Sequence, residues 1–144
     1  MERSIVSFEL ENFGSVSVKY TVTTDEGPED FSVKCSRLAH PDLTDIFAYG
    51  LQDWAGYLLG FPEECRSEIV MPYGVEFLGE DYIRLFVKVR GPEEIYKVKL
   101  RKTKIPLEHR EKLDALKVEI LAYLDGKSSQ LSLFGETAEE ELPL

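Results

Sequence analysis

Apolar and polar residues alternate with a period of two in the first third of the chain, and this pattern restricts the fold more than any other feature. Such alternation is typical of strands that bury one face. Turn sequences at residues 12–14 and 25–30 separate three runs. Because both turns are short, we expect the strands to pair antiparallel as a three-stranded meander. The alternating apolar residues are Val6, Phe8, Leu10, Val16, Val18, Tyr20, Val22, Phe31, Val33 and Cys35.

After Pro41 the apolar residues recur at intervals of three and four, which predicts one helix that ends at the Gly60-Phe61-Pro62 sequence. Three further strands are predicted at residues 68–78, 82–90 and 94–104, and Pro72 places the first of them at a sheet edge or at a bulge. A last helix begins at Pro106, with Gly126 at its C-cap. The apolar stripes of the two helices are Leu43, Ile46, Phe47, Leu51, Trp54 and Leu58, and then Leu113, Leu116, Ile120 and Leu124.

With 144 residues and 43% hydrophobic content, the chain is long enough for one domain with its own core. The pattern predicts the α+β class, in the order strand-strand-strand-helix twice. The helices are expected on one face of an antiparallel sheet or of a partly open barrel. We expect a globular domain over residues 1–126 and a flexible acidic tail over residues 127–144.

The formal net charge of −10 excludes a protein whose whole surface attracts nucleic acid, although it is compatible with a local basic patch. Cys35 and Cys65 form no paired motif, and the first residues lack the apolar run of a signal peptide. No apolar stretch approaches the roughly 20 residues of a membrane span. We therefore expect a cytoplasmic protein without a membrane partner.

The residues that could catalyse a reaction form no recognisable pattern. His40 is expected at the start of the first helix, and His109 as an exposed residue in the first turn of the last helix. Asp42 and Asp45 suit the positive end of a helix dipole. We expect no enzymatic activity, no cofactor and no metal site. A small metal-dependent nuclease that uses these two acids, Asp53 and the acids of the turns is an alternative.

Basic residues concentrate in the segment from Tyr82 to Lys104, here called the basic hairpin. It holds eight basic residues against two acidic ones, a local net charge of +6. Strand alternation places Ile83, Leu85, Val87 and Val89 toward the core and the residues between them on the opposite face. Aromatic rings among cations on a sheet face are typical of single-stranded nucleic-acid binders. The alternatives are a solvated face that protects a sheet edge, and a second helix that covers Phe86. The predicted nucleic-acid-binding residues are Tyr82, Arg84, Phe86, Lys88, Arg90, Lys97, Lys99 and Arg101.

Residues 130–134 read Gln-Leu-Ser-Leu-Phe and resemble the linear motif by which bacterial replication and repair proteins bind the DNA sliding clamp. All five positions match the family pattern. The resemblance implies that Leu133 and Phe134 enter an apolar pocket, that Gln130 sets the register by amide hydrogen bonds, and that Leu131 fills a smaller neighbouring depression. Ser132 occupies the position where the family has Ser or Asp. The alternative is a C-terminal segment that packs back on the domain.

The last residues, 138–144, resemble the acidic tail of bacterial single-stranded DNA-binding proteins, with Leu144 where that family has Phe. A solvated acidic tail is the alternative. Residues 37–43 and 73–79 resemble small uncharacterised proteins from phage and mobile-element replication clusters.

These features predict a non-enzymatic accessory of DNA replication, recombination or repair. Its tail would dock on the sliding clamp, and its basic hairpin would contact single-stranded DNA. The alternatives are a clamp modulator or inhibitor without DNA binding, and a small nuclease tethered to the clamp.

Overall fold

The structure, a computed structural model, describes residues 2–11 and 15–127. The strands are β1 Arg3–Leu10, β2 Val16–Thr24, β3 Gly27–Cys35, β4 Val70–Leu78, β5 Tyr82–Arg90, β6 Ile95–Lys99 and β7 Thr103–Lys104. These seven antiparallel strands form one open sheet in the order β3-β2-β1-β4-β5-β6, and β7 also pairs with β5. This confirms the α+β class and the N-terminal meander, and it selects the open sheet over the partly open barrel.

One face of the sheet is covered by helices, and the core lies between the two layers. Phe8 of β1 meets Phe47 edge to face, with ring centroids 4.9 Å apart. Both rings are fully buried. The same layer holds buried side chains from the middle strands and from the last helix. They include Val18, Val75, Ile83, Leu85, Val87, Leu113, Leu116, Ile120 and Tyr123.

A bulge in β1 changes which residues of that strand face the core. The pairing of β1 with β2 shifts register between Ile5 and Ser7. Ile5 is therefore buried, whereas Val6 is exposed. The prediction that Val6 shares the core face with Phe8 was wrong, because strict alternation fails where one strand carries an extra residue.

A second bulge interrupts β4, between Pro72 and Gly74. Pro72 lies in a central strand, so of the two predicted settings the bulge is the one that occurs. β4 begins at Val70 instead of Glu68, because a short helical turn, Glu63–Cys65, and helix α3, Arg66–Ile69, precede it. Likewise, the strand predicted at residues 94–104 is divided into β6 and β7.

The first predicted helix is also divided. It consists of α1 Pro41–Thr44, a π-helical turn Asp45–Tyr49, and α2 Gln52–Leu58. In the π-helical turn, the Gly50 amide donates to the Asp45 carbonyl at 2.9 Å. A Cβ at position 50 would lie 2.2 Å from the Ile46 carbonyl oxygen, so only glycine fits there. The extra residue in this turn keeps the predicted apolar stripe facing the sheet.

The last helix, α4 Leu107–Leu124, begins after Pro106 and ends at the predicted C-cap. Gly126 has a φ of +115°. The Lys127 amide donates to the Ala122 carbonyl at 3.0 Å, and the Gly126 amide donates to the Tyr123 carbonyl at 3.0 Å. These two bonds form a Schellman motif. Of the predicted flexible tail, residues 127–144, only Lys127 is described, and residues 128–144, which include the clamp-binding-like motif, lie outside the described residues.

Candidate nucleic-acid interface

The sheet face opposite the helices, here called the outer face, carries most of the residues of the basic hairpin that were predicted to bind nucleic acid. Arg84, Phe86, Lys88 and Arg90 alternate along β5 with residues that enter the core. In β6, Lys99 lies opposite Phe86, and Lys97 lies opposite Lys88. The antiparallel register therefore brings together six of the eight residues predicted to bind nucleic acid, namely Arg84, Phe86, Lys88, Arg90, Lys97 and Lys99.

Two aromatic rings lie beneath the lysines of this face. Phe86 is on the outer face, as predicted, but only 7% of it is exposed. The ring of Tyr73, which lies in the β4 bulge, packs beside it with centroids 6.0 Å apart. Gly74 makes room for this packing, since a Cβ there would lie 2.6 Å from Phe86 Cδ2. Tyr73 and Phe86, here called the ring pair, form a small apolar layer separate from the main core.

Three lysines, here called the lysine cluster, lie over the ring pair. The Nζ atom of Lys99 is 5.1 Å from the Phe86 ring centroid. The Nζ atoms of Lys97 and Lys88 are 5.1 and 5.9 Å from the Tyr73 ring centroid. Each such contact contributes about 0.5–1 kcal/mol at an exposed site. The rings therefore hold three ammonium groups near one another, against their mutual repulsion.

The remaining predicted residues differ in their surroundings. Arg84 is paired with Glu76 of β4 at 2.9 Å, which neutralises its charge within the sheet face. Tyr82 is 37% exposed, and the Lys102 Nζ lies 4.5 Å from its ring centroid. Arg101 is exposed in the segment between β6 and β7, and does not join the lysine cluster. Tyr82 is thus the ring of the predicted site that is open for stacking.

Acidic residues border the lysine cluster on the β1 side, a proximity that no local sequence pattern indicates. Glu9, Glu11, Tyr73, Lys88 and Lys97 line a cavity of about 160 Å³ together with Leu10. The Glu11 carboxylate accepts a hydrogen bond from Ser17 Oγ at 2.9 Å and pairs with Lys34 at 3.3 Å. These two contacts lower the pKa of Glu11. Pro72, which predicted a sheet edge or a bulge for β4, was the sequence signal that could have drawn attention to the neighbouring Tyr73.

The two histidines lie apart from this surface. The His40 Nδ1 atom accepts a hydrogen bond from the Asp42 amide at 3.1 Å. His40 is therefore the N-cap of α1, which confirms its predicted position at the start of the first helix. The prediction of an exposed His109 was wrong. Its ring stacks on Trp54 with centroids 4.5 Å apart, and its Nδ1 atom is buried without a hydrogen-bond partner. Burial, and secondarily the charge of Lys112, lower the pKa of His109.

Two of the three carboxylates named for a nuclease, Asp42 and Asp53, have basic partners on the helical side of the molecule. Asp53 pairs with Arg66 at 3.0 Å, and Asp42 pairs with Lys127 at 2.9 Å. Among residues 2–11 and 15–127, no group of three or more histidine, cysteine or acidic side chains has a geometry that could hold a metal ion. Within the same ranges, no helix combines the length and apolar character needed to cross a bilayer.

Comparison with known proteins leaves the outer face as the main guide to function. No protein-family model, no curated protein and no solved structure matches the chain.

Proposed function

We propose that the protein is a non-enzymatic accessory of DNA replication, recombination or repair that binds single-stranded DNA on its outer face and docks on the sliding clamp through its tail. The observation that carries the DNA-binding part is the lysine cluster above the ring pair. A purely solvated face would not need a buried aromatic layer beneath its cations. Here, that layer keeps three ammonium groups together on one side of an acidic protein.

The binding energy would come mainly from phosphate contacts. Lys88, Arg90, Lys97 and Lys99 lie on neighbouring positions of β5 and β6, and successive outer-face residues of a strand are about 6.6 Å apart. An extended phosphate backbone could therefore follow these cations. Each phosphate contact with a single strand contributes about 0.7 to the slope of log affinity against log salt. Four contacts predict a slope near −3, and binding that is weak at high salt.

The ring pair is too deeply buried for bases to stack on it. Because Tyr73 and Phe86 are covered, their role is to position the lysines, and bases would stack elsewhere. Tyr82 is exposed at the end of β5, with Lys102 above it. Of the two predicted rings, Tyr82 and Phe86, Tyr82 is the exposed one, and base-aromatic stacking is worth about 1–3 kcal/mol.

The tail would start on the side of the molecule opposite the lysine cluster. Lys127, the last described residue, pairs with Asp42 of α1 at 2.9 Å and with Glu119 of α4 at 3.0 Å. Both helices belong to the layer that covers the inner face of the sheet. A tail that continues from this point can reach a clamp without crossing the outer face, so the clamp and a DNA strand need not compete for one surface.

Titration of a fluorescent single-stranded oligonucleotide at several salt concentrations tests the DNA-binding part. The double variant Lys97→Gln, Lys99→Gln is expected to bind at least tenfold more weakly at low salt, with a slope shallower by about 1.4. The matched control is Lys112→Gln, Lys117→Gln, which makes the same charge change on α4. The control should bind like the unmodified protein.

Two results would contradict the proposal. If the control weakens binding as much as the outer-face variant, the attraction is a matter of net charge and the lysine cluster is not the site. If the unmodified protein does not bind at low salt, the outer face is a solvated surface. A clamp modulator without DNA binding is then the better interpretation.

A further inference from the structure

The cavity beside the lysine cluster is lined by ammonium groups, carboxylates and an aromatic ring. Lys88 and Lys97 line it on the β5–β6 side, Glu9 and Glu11 line it on the β1 side, and the Tyr73 ring lies between them. Burial, followed by the negative charge of Glu9, raises the pKa of the Tyr73 hydroxyl. Cations and acceptors therefore flank one aromatic side chain.

The two carboxylates of the cavity are not equivalent. Glu11 is engaged by Ser17 Oγ and by the Lys34 ammonium group. Among residues 2–11 and 15–127, no side chain or backbone group makes a hydrogen bond or ion pair with the Glu9 carboxylate. The methylene stem of Glu9 lies beside Gly74, since a Cβ built there would be 2.9 Å from Glu9 Cγ. Glu9 is thus a half-buried acceptor, held in position by its stem, and its oxygens are available to a ligand.

The arrangement of lysines and carboxylates around the cavity favours one orientation of a bound nucleotide. Its phosphate is attracted by Lys88 and Lys97 and repelled by the carboxylates, so its base is directed toward Glu9. A carboxylate accepts from the exocyclic amino group of cytosine, adenine or guanine. Thymine and uracil have carbonyl oxygens in place of an amino group, so their one base donor, N3–H, lies between two oxygens that repel a carboxylate.

We propose that this cavity gives the outer face a preference for single-stranded DNA whose bases carry an exocyclic amino group, with Glu9 as the residue that recognises that group. The inference rests on the proposed DNA binding and adds base selectivity to it. The lysine cluster provides affinity that is independent of sequence, whereas Glu9 distinguishes the bases.

The test compares labelled oligo-dC and oligo-dT of equal length at neutral pH and low salt. The unmodified protein is expected to bind oligo-dC about fivefold or more tightly than oligo-dT. Glu9→Gln preserves the shape of the side chain but removes its charge, and should bring the ratio of the two affinities close to one. Because both ligands are titrated into the same preparation, the ratio does not depend on the fraction of folded protein.

Glu76→Gln is the matched control, since it removes a carboxylate from the same sheet face outside the cavity. It should leave the preference for oligo-dC unchanged, while it strengthens binding of both ligands by releasing Arg84. Equal binding of the two ligands by the unmodified protein would overturn the base preference and leave the proposed DNA binding intact. A preference that survives Glu9→Gln would overturn the role of Glu9. Failure to bind either ligand would overturn the proposed DNA binding itself, and the inference with it.

Discussion

Tyr123 and Arg37 bind each other at two points, although 86 positions separate them in the chain. The Tyr123 hydroxyl donates to the Arg37 carbonyl at 2.6 Å, and the Arg37 guanidinium donates to the Tyr123 carbonyl at 3.0 Å. The guanidinium carbon also lies 4.5 Å from the centroid of the Tyr123 ring. These contacts attach the end of α4 to the segment that leaves β3, and so connect the two halves of the chain.

Tyr123→Phe should lower the free energy of unfolding by about 1–2 kcal/mol, because the Arg37 carbonyl loses its hydrogen-bond donor in a buried setting. Urea unfolding followed by circular dichroism measures this change. Tyr57→Phe is the control, since Tyr57 is largely exposed. Equal unfolding midpoints for the two variants would show that the Tyr123 hydroxyl does not stabilise the fold.

The stability of the protein should fall as the pH drops below about 6.5, where an unfolded histidine begins to take up a proton. The pKa of His109 is lowered in the folded state, by burial and by Lys112, while Glu108 and Asp53 oppose that shift. Between its folded and unfolded pKa values, the unfolded chain therefore binds more protons, so stability decreases with falling pH. The stabilising contribution is complete above the unfolded pKa.

His109→Phe keeps a ring on Trp54 and removes the titrating group. Melting temperatures measured from about pH 7 to about pH 5 should decline less steeply for this variant than for the unmodified protein. The acids with lowered pKa values, Glu11, Asp42 and Asp125, titrate below this window and do not disturb the comparison. Parallel declines would rule out His109 as the source of the pH dependence.

Gly74→Ala should weaken both the fold and the binding of single-stranded DNA. The added Cβ would lie 2.6 Å from Phe86 and 3.1 Å from the Phe8 carbonyl oxygen, so the ring pair must move. Overpacking of this kind costs about 1–3 kcal/mol. The displaced rings would no longer hold the lysine cluster in place.

Thermal melting and the oligonucleotide titration measure the two effects of Gly74→Ala separately. Ser7→Ala is the control, because Ser7 lies on the same face, opposite Glu76. It should change stability by less than about 0.5 kcal/mol. A Gly74→Ala protein that is destabilised but binds DNA normally would contradict the positioning role of the ring pair.

The double variant Leu133→Ala, Phe134→Ala should lose binding to a bacterial sliding clamp and retain its melting temperature. Each apolar side chain contributes roughly 1.5–3 kcal/mol when it is buried in a partner. Surface plasmon resonance with immobilised clamp measures the binding. Leu142→Ala, Leu144→Ala makes the same kind of change outside the motif and should bind normally. A lower melting temperature for the Leu133, Phe134 variant would mean that these residues pack on the domain.

The bounds and the buried face of a strand were predictable where the strand contains no bulge. β5 has the predicted bounds, Tyr82–Arg90, because its alternation is regular and glycine-containing turns limit it on both sides. Predictions were wrong where an extra residue enters the backbone. Val6 changed face at the β1 bulge, and the first helix was divided by its π-helical turn. A periodic pattern cannot show an insertion of one residue when the apolar residues on both sides still reach the core.

The local sequence was sufficient for the α+β class, the meander, the helix caps at His40 and Gly126, and the positive charge of the basic hairpin, since each depends on residues close together in the chain. Other features depend on pairs of residues that are distant in sequence. They are the burial of Phe86, the contact of Lys97 with Tyr73, the position of Glu9 beside the lysine cluster, and the burial of His109 against Trp54. Such pairs meet only after β4 has joined β1 to β5 and α4 has packed on the sheet. For that reason, the candidate site could be located on one hairpin from the sequence, while its aromatic layer and its acidic border became visible only in the folded chain.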